Sequence, residues 1–407
     1  MGKKFNILLL GAGHEQCIPI EVAKSLGYNV VACDVNPAAP GLSLADVGLV
    51  LDIRDVDALV CAGKDHNVRG VFCHAVEIPH VIAQVAAELC LPGLCPETAR
   101  LCTLKDERLA ALQAAGIPVA DFVIARNREC LIDVARQFGF PLVLKPVDNA
   151  GSRGVQRVDR MEDLLASYDE AMRYTNNPTV LLERYLTGPQ ISTEAIVYQG
   201  NIHHFAFADR NYANEEVYAP YFIEDGINFP SLLSEALQAD VLDLVEKTIK
   251  QLGIDFGAAK GDIIVHEGVP HIIEMASRTS GGWFGAGSIP IATGVNPLKP
   301  LLQMSMGEEP DLDALKPTRL MGCAQRYWIP QQDAIFHSAT GFEEVKAMPG
   351  VKMFNAFFPD SGTRLEKAHH HAQRYAQVIC AGAIREEAMN RAEAAIRAIR
   401  VDQTVQK

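Results

Sequence analysis

A lysine followed by a glycine-containing loop is the segment whose residue types most clearly indicate chemistry. Lys145 ends the apolar run 140–144, and Gly151, Ser152 and Gly154 lie between it and the next apolar run. Glycines let backbone N–H groups close over phosphate oxygens, while a lysine supplies a positive charge. The spacing differs from that of a Walker P-loop. A loop of this kind between two strands predicts a lid over a triphosphate, and an ordinary flexible hairpin is the alternative.

Two carboxylates stand at the ends of neighbouring apolar runs. Asp262 begins one run and Glu274 ends the other, with a turn at residues 267–268 between them. In an antiparallel hairpin these ends lie side by side, and paired carboxylates can bind Mg²⁺ together with substrate phosphates. Arg278 follows and is suited to holding a phosphate or acyl-phosphate in a bidentate fork. The alternative is that both carboxylates are solvated at the strand ends.

A third segment could hold a nucleotide base. An apolar run ends at Glu183, and Arg184, Tyr185 and Leu186 form a short connector before Gly188. The backbone groups of such a connector can hydrogen-bond an adenine edge, and the glutamate can accept from the adenine amino group. Taken alone, this segment is unremarkable.

The composition is that of a soluble globular protein of two or three domains. The chain has 407 residues, of which 48% are hydrophobic and 21% charged, so disordered and disulfide-scaffold classes are excluded. The net charge of −13 argues against nucleic-acid binding. No apolar run is long enough for a transmembrane helix, and the N-terminal one is too short for an export signal. Ten scattered cysteines without a CxxC pair predict small buried thiols in a reducing cytoplasm.

The first hundred residues alternate between two kinds of periodicity. Short apolar runs predict strands at 5–10, 29–33, 47–51 and 70–74. Amphipathic stretches predict helices at 15–26, 55–63 and 79–90. This alternation indicates a parallel, doubly wound sheet. Gly11, Gly13 and Asp34 partly match a dinucleotide fingerprint, but its third glycine is missing, which favours a tight strand-to-helix turn.

The rest of the chain has a different organisation. After a break at 91–96, a helix is predicted that ends near Ala115. Strands are then predicted at 123–124, 141–145, 155–158, 180–183, 192–198, 203–208, 258–266 and 270–275. Helices are predicted at 129–138, 161–173 and 233–252. Adjacent strands indicate an α+β region to about residue 305. Short strands, turns and a terminal helix at 385–399 follow.

Taken in order, these residues resemble the ATP-grasp superfamily, and within it the carboxylate–amine ligases. The positions that carry the resemblance are Lys105, Lys145 with its glycine loop, Glu183 to Leu186, Asp262, Glu274 and Arg278. Among its members, the chain resembles L-amino-acid ligases, biotin carboxylase and the carbamoyl phosphate synthase large subunit. The resemblance implies a Rossmann-like domain (1–100), a two-part ATP-grasp domain (101–305) with its lid at about 121–186, and a small β-rich C-terminal domain (306–407).

The resemblance also implies a role for each matching residue. The residues implied to contact ATP are Lys105, Lys145, Gly151, Ser152, Gly154, Glu183, Arg184, Tyr185, Leu186 and Gln190. Asp262 and Glu274 are implied ligands of Mg²⁺, with Mn²⁺ as an alternative. Arg278 and Lys145 are the implied catalytic residues, and Arg278 would steady an acyl-phosphate and the developing oxyanion.

Two positions depart from the family pattern. Ala276 stands where an asparagine often follows the metal-binding glutamate, so one metal ligand is missing or is replaced by water. Gln190 stands where a ribose-binding acid is common, and a glutamine can still hydrogen-bond a hydroxyl. For Glu194, the sequence leaves open whether it faces the site or only supports the sheet.

The expected function is that of an ATP-dependent ligase. It would activate a small carboxylate as an acyl-phosphate and join it to an amine, with release of ADP and phosphate. The alternative is a bicarbonate-activating carboxylase or carbamoyl-phosphate-type enzyme, although no biotinyl or amidotransferase segment is present. A nucleotide-binding regulatory protein without turnover is a third possibility. The resemblance further implies a cytoplasmic homodimer with small-molecule substrates and no nucleic-acid or membrane partner.

Four further features have both a functional and a structural interpretation. Glu77 follows a strand of the first domain and could contact substrate or cap a helix. The irregular stretch 209–221 is a candidate substrate loop. Trp283 and Phe284 could line the acceptor pocket or pack in the core. For the histidines at 369–371, the sequence favours a solvated loop over a metal site.

Overall fold

The computed structural model describes residues 5–405. Its strands are β1 (Asn6–Leu10), β2 (Asn29–Asp34), β3 (Val47–Val50), β4 (Val68–Cys73), β5 (Phe122–Ala125), β6 (Leu142–Pro146), β7 (Gln156–Val158), β8 (Val180–Arg184), β9 (Gln190–Tyr198), β10 (Asn201–Asn211), β11 (Gly226–Phe229), β12 (Gly257–His266), β13 (Val269–Ala276), β14 (Gly322–Trp328), β15 (Ala334–Thr340), β16 (Val351–Ala356), β17 (Arg364–Leu365), β18 (Ala376–Gly382) and β19 (Arg400–Val405).

Its α-helices are α1 (Cys17–Ser25), α2 (Pro40–Leu44), α3 (Val56–Asp65), α4 (Pro79–Glu88), α5 (Pro96–Thr103), α6 (Lys105–Ala114), α7 (Arg128–Phe138), α8 (Met161–Ala171), α9 (Glu215–Tyr218), α10 (Glu235–Leu252), α11 (Ile289–Thr293), α12 (Leu298–Ser305), α13 (Phe342–Ala347) and α14 (Arg385–Arg397). A π-helical turn at Phe284–Ser288 and 3₁₀ turns at Leu312–Leu315 and His371–Gln373 complete the helical elements.

The first hundred residues form a four-stranded parallel sheet in the order β3-β2-β1-β4. Its strands are apolar throughout because both faces are covered: Leu8 and Leu10 pack on one side, and Ile7 and Leu9 on the other. The predicted doubly wound sheet is thus confirmed, with element ends within two residues of the expected ones. The Asp34 carboxylate accepts from the Ala12 N–H at 2.9 Å, which fits a tight turn.

Residues 122–184 contain a separate antiparallel sheet in the order β5-β8-β6-β7. Helices α7 and α8 pack on it through a core that includes Leu131, Leu142 and Leu164, all fully buried. Asn127 caps α7 by accepting from the Cys130 N–H. We call this unit the lid sheet, since β6 and β7 flank the glycine loop.

An eight-stranded antiparallel sheet forms the largest layer, in the order β13-β12-β9-β10-β11-β14-β18-β16. Strands β14, β16 and β18 come from the region after residue 306, and they join the sheet where β14 pairs with β11. Sequence patterns missed β11 because it follows an irregular polar stretch. Helix α10 covers the β9–β12–β13 side through Val241, Val245 and Ile249. Together the sheets confirm the expected mixture of α/β and α+β structure.

The helix predicted to end near Ala115 is in fact two helices. Leu104 has an extended backbone (φ −85°, ψ 119°), which ends α5 and starts α6 at Lys105. The break places Lys105 at a helix N-terminus, where its backbone N–H donates to the Val147 carbonyl at 3.2 Å. This contact joins α6 to the end of β6.

Two further expectations concern membrane insertion and the cysteines. Within residues 5–405, no helix combines the length and the apolar character needed to cross a membrane. All ten cysteines are free thiols, and Cys33, Cys73, Cys102, Cys323 and Cys380 are buried as predicted. Cys61, Cys90 and Cys95 are exposed, which corrects the expectation for these three.

Candidate active site

A cavity of about 700 Å³ lies between the lid sheet, the eight-stranded sheet and the edge of the first domain. The sequence-predicted residues that line it are Lys105, Lys145, Gly151, Ser152, Glu183, Arg184, Tyr185, Leu186, Gln190, Asp262, Glu274 and Arg278. Its lining carries ten lysines and arginines against six aspartates and glutamates, in a chain whose net charge is −13. The positive charge is therefore concentrated in the cavity, which suits an anionic ligand.

Two lysines project into the cavity from different elements. Lys145 on β6 reaches Glu183 on β8, with 2.5 Å between Nζ and Oε2, and Glu183 is only 7% exposed. The Lys105 ammonium donates to the carbonyl of Asn149 in the glycine loop. Burial lowers the pKa of Lys105 from its usual value, and Glu274 partly opposes this shift. Glu183 is thus paired with a lysine, besides the contact with adenine that the sequence resemblance implies.

The glycine loop is held in place at both ends. Gly151 and Gly154 have positive φ values (67° and 70°), as does Ser152 (59°). The Gly151 carbonyl accepts from the His371 N–H at 3.0 Å, and the Asn149 side chain donates to Tyr174 O at 2.6 Å. The conformation requires glycine most strictly at Gly154, which is buried and does not line the cavity.

A pair of alanine substitutions separates the two glycines. A Cβ on Gly154 would lie 3.0 Å from Ala171 Cα and 3.2 Å from Pro146 Cγ, whereas one on Gly151 would meet only a flexible arginine end. We expect Gly154→Ala to destabilise the protein by about 2–4 kcal/mol, from left-handed strain plus crowding. Gly151→Ala, the matched control, should cost about 1 kcal/mol. Urea unfolding measures both, and equal costs would contradict the crowding argument.

The predicted carboxylate pair forms as expected, but a lysine lies between its members. Asp262 on β12 is directly opposite Glu274 on β13. The Lys260 ammonium contacts both, at 3.3 Å from Glu274 Oε2 and more closely at Asp262. Burial acts to raise the pKa of Asp262, yet Arg210 and Lys260 hold it below its ordinary value. Burial is likewise outweighed at Glu274, where Lys260 and Arg108 lower the pKa strongly.

The two carboxylates differ in how closely protein groups surround them. Asp262 Oδ1 accepts from Ser192 at 2.8 Å, and Oδ2 is paired with Lys260 and with Arg210, the latter at 2.5 Å. Both of its oxygens are therefore engaged by protein groups. The Glu274 side chain is 21% exposed, and its oxygens lie 3.3 Å from Lys260 and 3.9 Å from Arg108. The Glu274 carboxylate is thus more open to a ligand than the Asp262 carboxylate, whose side chain is only 6% exposed.

Among the described residues, no group of three or more His, Cys, Asp or Glu side chains could hold a metal ion. A divalent ion at Glu274 would need oxygen ligands from elsewhere, which nucleotide phosphates and water provide in magnesium sites. The site thus suits an ion that arrives with an anionic ligand.

Arg278 is positioned by a residue of the first domain. Its Nε and Nη2 atoms both donate to Glu77 Oε2, and Nη1 donates to the Thr279 carbonyl at 3.1 Å. Glu77 follows β4 and lines the cavity, so the structure favours its functional interpretation over a helix cap. The guanidinium is therefore fixed at the junction of the first domain and the eight-stranded sheet.

Other candidates divide between the cavity and the core. Phe284 lines the cavity and stacks on Phe229, whereas Trp283 stacks on Phe357 outside it. Of the stretch 209–221, Arg210 and Tyr212 reach the cavity. Glu194 does not: it is 1% exposed and accepts from the Ser280 N–H at 2.8 Å. Glu194 is therefore a core carboxyl of the sheet, and burial raises its pKa.

Two cations of the site, Lys260 and Arg108, were missed by the sequence analysis, and Arg210 was included only as part of the stretch 209–221. Lys260 and Asp262 are two apart on one strand and so share a face, which is a signal the pattern contained. Arg108 lies one helical turn after Lys105 and is 1% exposed, a second usable signal. Arg210 comes from the irregular stretch, and nothing in its spacing marks it.

The histidines at 369–371 are not solvated, which corrects the expectation for this segment. They are half-buried, because Tyr174 packs on His369 and His370, and Tyr221 packs on His369. His371 Nε2 lies 3.2 Å from the Phe222 carbonyl, and its ring lines the cavity. The segment thus joins the C-terminal region to the lid sheet and its glycine loop.

We expect acid to weaken this junction. Burial, and then Arg374 and Arg210, lower the pKa of His371 well below its usual value, and burial lowers that of His370 to about 4. Below pH 6.5 the unfolded chain therefore binds protons that the folded chain does not, and stability falls as the pH falls. The free energy of unfolding should drop less between pH 7 and pH 5 in His371→Gln than in the wild type.

Two family models match the chain. The model described as D-ala D-ala ligase C-terminus matches residues 111–279, and the model described as L-amino acid ligase C-terminal domain 2 matches residues 326–403. The first match contains the lid sheet and the β12–β13 hairpin, and the second contains β15 to α14. The two matches therefore fall on both sides of the β11–β14 junction.

Curated relatives match parts of the chain. The formate-dependent phosphoribosylglycinamide formyltransferase of Synechococcus sp. is 32% identical over 188 residues, which are 44% of this chain and 47% of the relative. The uncharacterized protein y4rH of Sinorhizobium fredii is 24% identical over 313 residues, 74% of this chain and 62% of the relative. The matched segments thus span 47% and 62% of the lengths of these two relatives.

Solved structures match over the whole length. The L-amino acid ligase from Bacillus licheniformis has a TM-score of 0.84 at 20% identity and is covered completely, as is this chain. Biotin carboxylase from Campylobacter jejuni has a TM-score of 0.72 at 17% identity, with 99% of this chain and 93% of that chain covered. At these identities the similarity establishes the fold.

Proposed function

We propose that the chain is a carboxylate–amine ligase of the ATP-grasp superfamily, which joins a small carboxylate to an amine with conversion of ATP to ADP and phosphate. The observation that supports this most is the convergence of two lysines, a glycine loop, Glu274 and Arg278 on one cavity of about 700 Å³. These groups come from the lid sheet, the eight-stranded sheet and α6, and their types match the needs of phosphoryl transfer.

The lysines and the loop would hold the triphosphate. Lys105, which contacts the Asn149 carbonyl in the glycine loop, and Lys145 both line the cavity and would neutralise phosphate oxygens, while the loop closes over them. Glu183 and the 184–186 backbone would contact adenine, and Gln190 a ribose hydroxyl. Closure would exclude water, which would otherwise hydrolyse an activated intermediate.

Arg278 would serve the carboxylate. A carboxylate is a poor electrophile, and transfer of the γ-phosphate converts it to an acyl-phosphate with a good leaving group. The transferring phosphoryl group and the tetrahedral adduct with the amine both carry negative charge. A guanidinium held in place by Glu77 can neutralise that charge without having to reorganise.

We assign the divalent ion, Mg²⁺ or Mn²⁺, to Glu274 together with the nucleotide phosphates. When bound, such an ion neutralises phosphate charge and orients the γ-phosphate. This narrows the sequence-based assignment, which gave the ion to Asp262 as well. The contacts of Asp262 with Lys260, Arg210 and Ser192 support the narrower set.

A phosphate-release screen tests the proposal. Pairs of amino acids and other small carboxylates and amines are incubated with the chain and Mg-ATP, and positive pairs are followed by mass spectrometry of the product. We expect ADP formation that requires both substrates, and a product whose mass equals their sum minus water. ADP formation with bicarbonate alone would favour the carboxylase-type alternative. Tight ATP binding without turnover across the panel would favour a regulatory protein.

Two coarser properties complete the proposal. We expect a homodimer, as the sequence resemblance implies, and light scattering of the purified chain measures this directly. We also expect the cytoplasm as its location, since ten free thiols, three of them exposed, suit a reducing compartment.

A further inference from the structure

The side chain of Lys260 occupies a position that the function described so far does not use. It lies on β12, is 7% exposed, and is opposite Glu194 on β9 and Ala276 on β13. Strand alternation puts it on the same face as Asp262, two residues later. A buried lysine is rare unless it is paired, so its partners show what it does.

Its partners are Asp262 and Glu274, the two carboxylates that the sequence resemblance implies as ligands of Mg²⁺. The Lys260 ammonium contacts Asp262 Oδ2 and lies 3.3 Å from Glu274 Oε2, so it bridges the pair across the hairpin. A divalent ion shared by the two carboxylates would have to stand in the same gap. The two cations therefore compete for one position.

The residue opposite Lys260 makes room for this arrangement. Ala276 is fully buried and has only a methyl group, so the lysine side chain can cross the hairpin toward Glu274. An asparagine at 276, which is common in the family pattern, would fill this space and add an oxygen ligand for a metal. The loss of that ligand and the presence of the lysine are thus complementary.

Neighbouring charges favour the monovalent cation. Asp262 is also paired with Arg210 at 2.5 Å, and Glu274 lies 3.9 Å from Arg108. Three protein cations therefore already face two carboxylates. A divalent ion added between the carboxylates would be repelled by all three, whereas one at the outer side of Glu274 would be screened by nucleotide phosphates.

We propose that the ammonium group of Lys260 takes the place of a divalent ion between Asp262 and Glu274. The nucleotide site then holds one divalent ion per nucleotide. This inference rests on the proposed ATP-binding function and deepens it. Lys260 would act on the reaction by neutralising the carboxylate pair permanently, while the single ion at Glu274 exchanges with the nucleotide.

Counting Mn²⁺ in the complex with a non-hydrolysable ATP analogue tests this inference. The full-length chain is dialysed to equilibrium with AMP-PNP and saturating Mn²⁺, and bound metal is measured by the loss of the free-ion EPR signal against bound nucleotide. We expect one Mn²⁺ per nucleotide in the wild type. We expect two in Lys260→Ala, because the gap between the carboxylates is then open, and one in Lys260→Arg, which keeps the cation.

A matched control variant and the ratio of Mn²⁺ to nucleotide in the wild type keep the test valid even if Lys260→Ala does not fold. Lys299→Ala removes a lysine that is paired with Asp311 at 2.5 Å outside the cavity lining, and should leave one Mn²⁺ per nucleotide. Two ions per nucleotide in the wild type would overturn this inference alone, even if Lys260→Ala does not fold. A folded Lys260→Ala variant with a single ion would overturn it too. Absence of nucleotide binding by the wild type would overturn the proposed function, and the inference with it.

Discussion

The Lys145→Met variant is expected to form ADP about 10²- to 10³-fold more slowly than the wild type with its best substrate pair. Methionine keeps the length of the side chain and removes its charge, so a phosphate oxygen that Lys145 would neutralise is left without its partner. We also expect nucleotide affinity to fall about tenfold, which corresponds to about 1.4 kcal/mol. Coupled-enzyme detection of ADP and calorimetric titration with AMP-PNP measure the two effects separately.

The same substitution should lower stability for a different reason. Glu183 is 7% exposed and has Lys145 at 2.5 Å, so its carboxylate loses a buried partner. We expect a cost of about 1–3 kcal/mol in the free energy of unfolding. The double variant Lys145→Met/Glu183→Gln removes the unpaired charge and should recover most of that loss without recovering ADP formation. Recovery of activity in the double variant would mean that Lys145 only supports the fold.

The Arg278→Lys variant should lose about 10²-fold in kcat while its affinity for AMP-PNP changes little. A lysine keeps the positive charge but cannot reproduce the planar fork of donors. In the wild type that fork is fixed by Glu77 and by the Thr279 carbonyl. The expected effect lies on the chemical step, and single-turnover measurement of acyl-phosphate formation reports it apart from binding.

An exposed arginine supplies the control for this substitution. Arg128 on α7 pairs with Asp169 at 3.1 Å, and its side chain is 51% exposed. Arg128→Lys should leave kcat, nucleotide affinity and stability within error of the wild type. If Arg278→Lys instead weakens AMP-PNP binding as strongly as it slows turnover, Arg278 contacts the nucleotide, and its proposed role at the carboxylate is wrong.

Most of the fold could be predicted from local sequence patterns because the helices and strands differ clearly in periodicity. Leu8 and Leu10 could be assigned to a buried parallel strand from their apolar run alone, and the β12–β13 hairpin followed from two runs and a turn. The pairing of β11 with β14 could not be foreseen. It joins segments about a hundred residues apart, and nothing in either strand specifies its neighbour.

The candidate site likewise contains residues that could be predicted from local patterns and residues that only tertiary contacts bring to it. Lys145, Glu274 and Arg278 could be predicted because each stands at the end of a strand or beside a glycine loop. Their partners depend on tertiary contacts: Glu77 reaches Arg278 from 201 residues away along the chain. Lys260 stands inside an apolar strand, and its contact with Glu274 depends on the pairing of β12 with β13. The environment of a carboxylate therefore has to be read from the fold even when its position follows from the sequence.

The β11–β14 pairing has a consequence for how the chain can be divided. A fragment that ended near residue 305 would retain β9 to β13 but would leave β11 as an open edge, with the backbone donors and acceptors that now pair with β14 exposed. Open edges of this kind recruit other chains. Strands β9 to β13 and strands β14, β16 and β18 thus form a single hydrogen-bonded sheet, and a truncation between the two sets would favour aggregation.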